Sequence, residues 1–519
     1  MKKATIAGLA AALVLTGMPF AAPGPSTSSG QQAAGKLDPT FGAGGKALTD
    51  FGQSDAIEGL VVQADGKIVA AGTTQNQTTF DTRFALARYA RNGSLDASFG
   101  TGGKVTTDFG GRENRAYAVA LQGDGKIVAA GLSSGGPTGT DMALARYNAD
   151  GSLDASFGAG GKVLTDFDST HDSAFKLAIQ TDGRLVVLGS TRQFGSFTTN
   201  PSDFALARYH PNGSLDTSFD GDGKVSTGFT PGWDDRGLGL ALAPDGKLVA
   251  AGFAFNYQSG FGPSVIDVAR YNADGSLDGS FAGDGRVVTA SSRGNMHAQG
   301  VVVEADGRVV VAGSAEDGFA LLRYTVGGSL DSTFGEGGIA SAGFGTNTSS
   351  AQALARLPDG KLVAAGTVGP ASSAEEFAFA VARFERSGTL DRSFSGGAIS
   401  SDFGQRRWDE ARALAVQRDG KTVAGGLTAE VQNGDPVNGD FALARYMASP
   451  PSCRVPNVRG NTLAAAKARI RAANCAVGRV RRVRSRKKIG RVVAQSPAAG
   501  RTLPNLGKVN LLISSGRKS

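Results

Sequence analysis

The sequence predicts an all-β fold: a seven-bladed β-propeller closed by a strand from its own N-terminus, followed by a small, strongly basic domain. Three observations carry this expectation. A long stretch, complete from Phe84 to Gly100, returns from Met142, Phe204 and Ile266, and more loosely from Phe319 and Phe379. Asp-Gly followed by Lys or Arg opens at Asp65, Asp124, Asp182, Asp245, Asp306, Asp359 and Asp419, at intervals of 59, 58, 63, 61, 53 and 60 residues. The last copy stops at Phe441–Tyr446, and its missing half stands at the other end of the chain, as Leu37 to Gly42. Seven supersecondary units of about sixty residues, one of them split between the termini, describe a ring.

Taken in order, the chain opens with Lys2 and Lys3, an apolar run from Ala4 to Leu15 and then small residues. This reads as a signal peptide over residues 1–22, its apolar run too short to span a bilayer. Residues 23–35, rich in Ser, Gly, Pro and Gln, are expected to be a flexible leader. Residues 36–447 form the propeller, 448–452 a linker, 453–515 the basic domain and 516–519 a tail.

The second unit shows how one blade is built. Ala116 to Gln122 is a first strand, and Gly123-Asp124-Gly125 predicts a type I′ hairpin, which needs positive φ at both central residues. Lys126 to Gly131 is the second strand, Met142 to Asn148 the third, and Lys162 to Phe167 the fourth, after a turn at Asp150-Gly151. Gly is 76 of 519 residues with no period of three, which suits many short strands and turns. Five places before each Asp-Gly stands a large apolar residue (Leu60, Val119, Leu177, Leu240, Val301, Leu354, Leu414), and the next is small or β-branched. Such a strand fits the crowded inner edge of a blade.

An Arg and an Asp recur eight residues apart, as Arg88 and Asp96, Arg146 and Asp154, and four further pairs. Flanking a tight turn, they predict a bidentate scaffold pair in each blade. Arg445 lacks its Asp, and the unused one is Asp38, so the two should meet across the closure. The Asn148-to-Asp154 loop hints at calcium. The residue before its Gly varies as Asn92, Asp150, Asn212, Asp274, Gly327 and Ser387, a set suited to turns rather than to metal, so no metal and no cofactor is expected.

From Ala448 onward there are 17 Lys plus Arg and no Asp or Glu, against 37 basic and 46 acidic residues before it. An acidic body therefore carries a basic tail. Leu463, Ala466, Ile470 and Ala473 have near-helical spacing over Thr462 to Asn474. Cys453 and Cys475, the two cysteines of the chain, are expected to form a disulfide in an exported protein. Arg479, Arg481, Arg482, Arg484, Arg486, Lys487 and Lys488 alternate in part with Val and predict an exposed strand with one charged face. The run has no interleaved aromatics, so an anionic envelope polymer is the expected partner and nucleic acid is not. No second apolar stretch could span a membrane, and a monomer is expected.

These residues resemble two known families. Asp-Gly-Lys-Ile-Val-Ala-Ala-Gly and Ala-Leu-Ala-Arg-Tyr…Gly-Ser-Leu-Asp…Ser-Phe-Gly are similar to the delta-60 repeat of exported bacterial proteins, over about Lys36 to Tyr446. That resemblance implies propeller blades and brings no catalytic residues. Val455-Pro456-Asn457-Val458-Arg459-Gly460, Gln495-Ser496-Pro497 and Lys508 to Ser514 look like a PASTA domain, implying one helix on a three-stranded sheet. Some members of that family bind peptidoglycan fragments. The cysteine pair and the basic strand depart from its general pattern.

No Gly-x-Ser-x-Gly, phosphate loop or His-Glu-x-x-His occurs, and His171, His210 and His297 have no metal-ligand spacing. A site in a repeated ring is better sought where copies differ. Ten places before Asp-Gly are Asp55, Asn114, Asp172, Asp235, Met296, Ser349 and Asp409. Seven places before are Glu58, Tyr117, Phe175, Leu238, Gln299, Gln352 and Arg412. With Trp233 and Trp408 close in sequence, these are expected at one mouth of the channel, as a solvated acidic rim or as a pocket for a cation or sugar. The expected function is an exported, non-enzymatic scaffold or binding protein presented at the cell wall by its basic domain. The alternative is a lyase or hydrolase acting on a polysaccharide at the channel mouth.

Overall fold

In the computed structural model, residues 34–516 are described, apart from 137–138, 169–170, 193–200, 257–263, 291–295, 316–317, 346–347, 371–375, 405–406, 433–434, 449–452, 474 and 504–506. The expected signal peptide, nearly all of the leader and most of the linker lie outside the described residues. Ala34 and Gly35, at the leader's end, are buried: Ala34 packs beside Phe379 and Tyr446, and Gly35 N–H donates to the Met447 carbonyl at 2.9 Å. The chain is therefore anchored two residues earlier than the composition suggests.

Seven antiparallel four-stranded sheets follow one another as blades, each ordered A, B, C, D from the axis outward. Blade 2 consists of Asn114–Leu121, Ile127–Ser133, Asp141–Tyr147 and Lys162–Thr165. Its hairpins are not type I′. At Asp-Gly only the glycine has positive φ (Gly125, 88°), and Gly125 N–H donates to the Gln122 carbonyl at 2.9 Å. The arrangement is a type I turn followed by a left-handed glycine, which reaches the same hairpin with an extra residue.

Blade 7 takes its A, B and C strands from Arg407–Val416, Thr422–Gln432 and Asp435–Tyr446, and its D strand from Lys46–Thr49. Lys46 stands opposite Ala444 and Thr49 opposite Phe441, the register that Lys104 and Thr107 take against Ala87 and Phe84 in blade 1. Closing the sheet in this way pairs an edge that would otherwise be open.

The apolar cores lie between blades rather than within them. Ile57, Ala70 and Ala85 of blade 1 pack on Val423, Phe441 and Leu443 of blade 7 together with Phe41, and each of the other six junctions has its counterpart. Buried hydroxyls add a polar tie. The C-strand Tyr reaches the D-strand Thr of the preceding blade: Tyr89 to Thr49 (2.8 Å), Tyr147 to Thr107 (2.7 Å), Tyr209 to Thr165 (2.8 Å), Tyr271 to Thr227 (2.9 Å) and Tyr324 to Thr289 (2.8 Å). Blade 6 has Phe384 where the Tyr would be, and facing it is Ala342 in place of Thr. Both partners are absent together, so neither hydroxyl is left buried alone at that junction.

The C-terminal module has a helix, Leu463–Ala472, N-capped by Thr462, whose Oγ1 accepts from Ala465 N–H at 3.3 Å. It buries Ala466 and Ile470 against Val492, Val509, Leu511 and Ile513. The sheet is ordered Ala476–Val483, Lys508–Ser514, Val492–Ser496, the first pair parallel. Cys453 and Cys475 form the expected disulfide, with 4.7 Å between their Cα atoms and 22 residues between them in sequence.

Candidate functional site

The Arg and Asp pairs form in every blade. Arg88 Nε lies 2.7 Å from Asp96 Oδ2, Arg146 Nε 2.7 Å from Asp154, and Arg445 Nη2 2.9 Å from Asp38 Oδ2, which brings the two ends of the ring together. Their geometry corrects the bidentate expectation. One carboxylate oxygen takes the guanidinium; the other accepts from the Ser or Thr two residues on, as Asp96 Oδ1 does from Ser98 N–H and Oγ–H. The guanidinium's remaining nitrogens reach further. Arg88 donates to Ser98 Oγ and to the Ala149 carbonyl of blade 2, Arg270 to the Val326 carbonyl of blade 5 at 2.7 Å, and Arg445 to the Arg91 carbonyl of blade 1. Each also lies over a Phe, as Arg445 does over Phe41 at 4.6 Å. The pair thus stitches one blade to the next.

Sequence reasoning missed the second cation. The Lys or Arg after Asp-Gly lands on the same Asp: Lys67 on Asp96 (2.8 Å), Lys247 on Asp278 (2.7 Å), Lys361 on Asp391 (2.8 Å) and Lys421 on Asp38 (2.9 Å). The seven-fold recurrence of that basic residue was the signal. Burial raises the Asp38 pKa, but Thr40, Lys421 and Arg445 outweigh it and hold the carboxyl at about 2.

The residues expected at the channel mouth divide into two sets. Asp55, Asn114, Asp172, Asp235 and Asp409 are buried, so the expected solvated acidic rim does not form from them. Instead each side chain accepts the N–H of a Phe at the crossover from the preceding blade: Asp55 from Phe51 (2.6 Å), Asn114 from Phe109 (3.3 Å), Asp172 from Phe167 (2.8 Å), Asp235 from Phe229 (2.8 Å) and Asp409 from Phe403 (2.7 Å). Burial pushes Asp55 and Asp409 up to about 6. These groups hold the entry to the A strand.

The other set does face the axis. In every A strand the residue seven before Asp-Gly sits in a β-bulge: Glu58, Tyr117, Phe175, Leu238, Gln299, Gln352 and Arg412 are each skipped in the pairing. Glu58, Tyr117, Gln299, Gln352 and Arg412 line the central cavity with the Leu and Val residues two places on. Arg412 donates to Glu58 and, at 2.9 Å, to Glu410, which also accepts from Gln352 and from Trp408 Nε1 at 3.5 Å. Burial raises Glu410, and Arg412 overcomes this to hold it below the usual range. Trp408 of blade 7 lies tilted against Phe377, with ring centroids 4.2 Å apart, whereas Trp233 lies three blades away, at the entry to blade 4. The two indoles therefore do not form one platform.

Lys176, missed by the sequence reading, also lines the cavity; burial lowers its pKa, with Glu58 opposing. A signal existed: the position six before Asp-Gly is Gly or Ala in the other six blades. The cavity measures about 180 Å³, below the roughly 300–1,000 Å³ of typical small-molecule sites, and its Glu58 and Arg412 already pair with each other. No histidine joins a cluster of metal-ligating side chains among the described residues.

In the basic module, Arg479, Arg481, Arg482, Arg484, Arg486, Lys487 and Lys488 are all exposed. The strand ends at Val483, so Arg484, Arg486, Lys487 and Lys488 belong to the bend after it, not to a strand face. A register shift between Val477 and Val480 also breaks the alternation, leaving Val480 39% exposed beside the arginines. This strand is an edge of its sheet, where exposed charge also discourages unwanted pairing.

A ring of seven four-stranded blades with a basic α+β appendage defines a β-propeller protein of modular build. The repeats match the family described as "Domain of unknown function (DUF5122) beta-propeller" at residues 63–99, 122–157, 180–219, 243–281, 304–334 and 357–394, and residues 454–515 match the PASTA domain. Six of the seven units thus match that propeller repeat, and the C-terminal module matches a PASTA domain. The seventh unit, split between the termini, is the one without a match.

No curated protein matches the chain. Among solved structures it is similar to virginiamycin B lyase from Staphylococcus aureus (10% identity, 77% of this chain and 98% of that one, TM-score 0.41). It is also similar to polysaccharide lyase Uly1 (14%, 82% and 94%, 0.42) and to the β-propeller domain of the Trilobed protease from Pyrococcus furiosus (10%, 77% and 93%, 0.37). Similarity at this level carries no activity over to this chain. No helix among the described residues is long and apolar enough to cross a membrane.

Proposed function

We propose that this protein is an exported, non-enzymatic binding scaffold, held at the cell wall by its basic PASTA module while the propeller is displayed outward. The observation that carries this reading is the module's charge: seven exposed Arg and Lys side chains from Arg479 to Lys488, with no carboxylate side chain in the module to neutralise them. An anionic wall polymer, or peptidoglycan bearing one, supplies the complementary charge. The disulfide fits an oxidising compartment outside the cytoplasm. Against a polysaccharide-cleaving role speak the pairing of Arg412 with Glu58 and Glu410 at the central cavity and the cavity's small volume.

The test is sedimentation of the full chain with purified cell wall across a salt series. Binding should fall steeply above about 0.15 M salt, where the screening length is near 8 Å, and should be lost when Arg479, Arg481, Arg482, Arg484 and Arg486 are all changed to Ser. Binding indifferent to salt and to these changes would overturn the proposal.

A further inference from the structure

The seam between blades 3 and 4 departs from the repeat in a way the scaffold does not need. The C-strand position that is Ala85, Ala143, Ala205, Ala320, Ala380 and Ala442 elsewhere is Asp267 in blade 4. Its side chain is fully buried. Apart from the neighbouring Asp235 carboxyl, neither oxygen has a hydrogen-bond partner among the described residues. Asp235 is fully buried as well; its Oδ2 accepts from Phe229 N–H, and its Oδ1 is left without a partner. Asp203, from blade 3, lies on the other side of Gly228. A Cβ built on Gly228 would stand 2.9 Å from Asp203 Oδ1 and 3.9 Å from Asp235 Oδ2. Gly228 itself replaces the Asp50, Asp108, Asp166 and Asp402 of other blades, so the gap between the two carboxylates has no side chain of its own.

The basic group close in sequence does not neutralise the pair, because Arg236 is engaged by Asp234 at 3.0 Å. Asp203 and Asp234 add further negative charge. At the seam between blades 1 and 2 the matching positions are Asn114 and Ala143, so no buried acid pair arises there. Two buried carboxylates cannot both ionise without a compensating positive charge. Burial and mutual repulsion push Asp235 up to about 7 and Asp267 to about 8, the behaviour of a site that needs either a proton or a cation.

We propose that Asp235 and Asp267, at the seam between blades 3 and 4, bind a divalent, oxygen-preferring cation of the calcium type. Carboxylate oxygens on rigid strands suit such a hard cation, and water can complete its six to eight ligands. The cation would supply the positive charge that these two buried acids otherwise lack.

The test uses the full chain stripped with chelator, then titrated with calcium chloride at pH 8, read by calorimetric stoichiometry and thermal melting. Asp267→Ala restores the residue of the other six blades and so should fold; Asp267→Asn keeps the volume without the charge. The parent should bind at least one more calcium per chain than either variant, and should melt several degrees higher with calcium than the variants' own calcium response accounts for. Equal stoichiometry and equal calcium response in all three proteins would overturn the proposal. So would a parent whose melting temperature falls between pH 6 and pH 8 regardless of calcium, which is the signature of a shared proton.

Discussion

Replacing Asp38 with Ala removes the acid on which the closure of the ring converges. Arg445, with a side chain only 5% exposed, and Lys421 both contact Asp38 Oδ2 at 2.9 Å. The depressed pKa sets one scale: a carboxyl at about 2 in the fold against 3.8 free contributes about 2 kcal/mol at neutral pH. Breaking a buried pair by deleting one partner sets another, about 3–5 kcal/mol. Here Arg445 keeps the Arg91 carbonyl and Thr40 Oγ1 as acceptors, and Lys421 can hydrate, so we expect about 2–3 kcal/mol. The loss should be local. Hydrogen exchange at residues 46–49 should accelerate by about the matching factor, whereas Asp96→Ala, cut from a chain-continuous blade, should leave that strand protected. Because the folded pKa lies below the free one, this stabilisation is fully present above about pH 4 and is lost as pH falls through about 2. Parent protein should therefore release the strand over that window. A destabilisation below about 0.5 kcal/mol, or exchange at 46–49 unchanged by the substitution, would refute the closure argument.

Tyr209→Phe should cost about 1 kcal/mol in denaturant unfolding by stranding the Thr165 hydroxyl, and adding Thr165→Ala should recover part of that loss, since Phe384 and Ala342 already face each other at the junction of blades 6 and 5. A double variant no better than the single one would contradict the reading. Arg412→Ala should destabilise the ring by about 3 kcal/mol, because it leaves Glu58 and Glu410 unpaired at the axis, while Arg412→Ala with Glu410→Gln should be milder; a neutral single variant in thermal unfolding would show that the cavity is already well hydrated. Replacing both Cys453 and Cys475 with Ala should lower the module's stability by roughly 3 kcal/mol for a loop of 22 residues, measured as proteolytic susceptibility of the tail in the full chain; unchanged susceptibility would contradict it.

The sequence by itself determined the parts that repetition makes audible. Seven Asp-Gly hairpins, the Arg and Asp eight apart and the split seventh unit were legible because each blade repeats one solution, so internal copies acted as an alignment. Asp38 could be matched to Arg445 across the chain because every other copy showed what was missing. The disulfide followed from there being only two cysteines in a chain whose start reads as a signal peptide. What the tertiary structure alone decided concerns direction and burial. Asp55, Asp172 and Asp409 looked like a wet rim until the crossover Phe amides were found to occupy them. A one-residue bulge in each A strand turns Glu58 and Arg412 toward the axis; strand alternation does not encode a bulge, because the sequence pattern reads the same with or without the skipped residue. Lys176 and Asp267 stood in the sequence as exceptions to a small-residue column. Whether such an exception is exposed, paired or buried against another blade depends on contacts made some sixty residues away, which only the closed ring brings together.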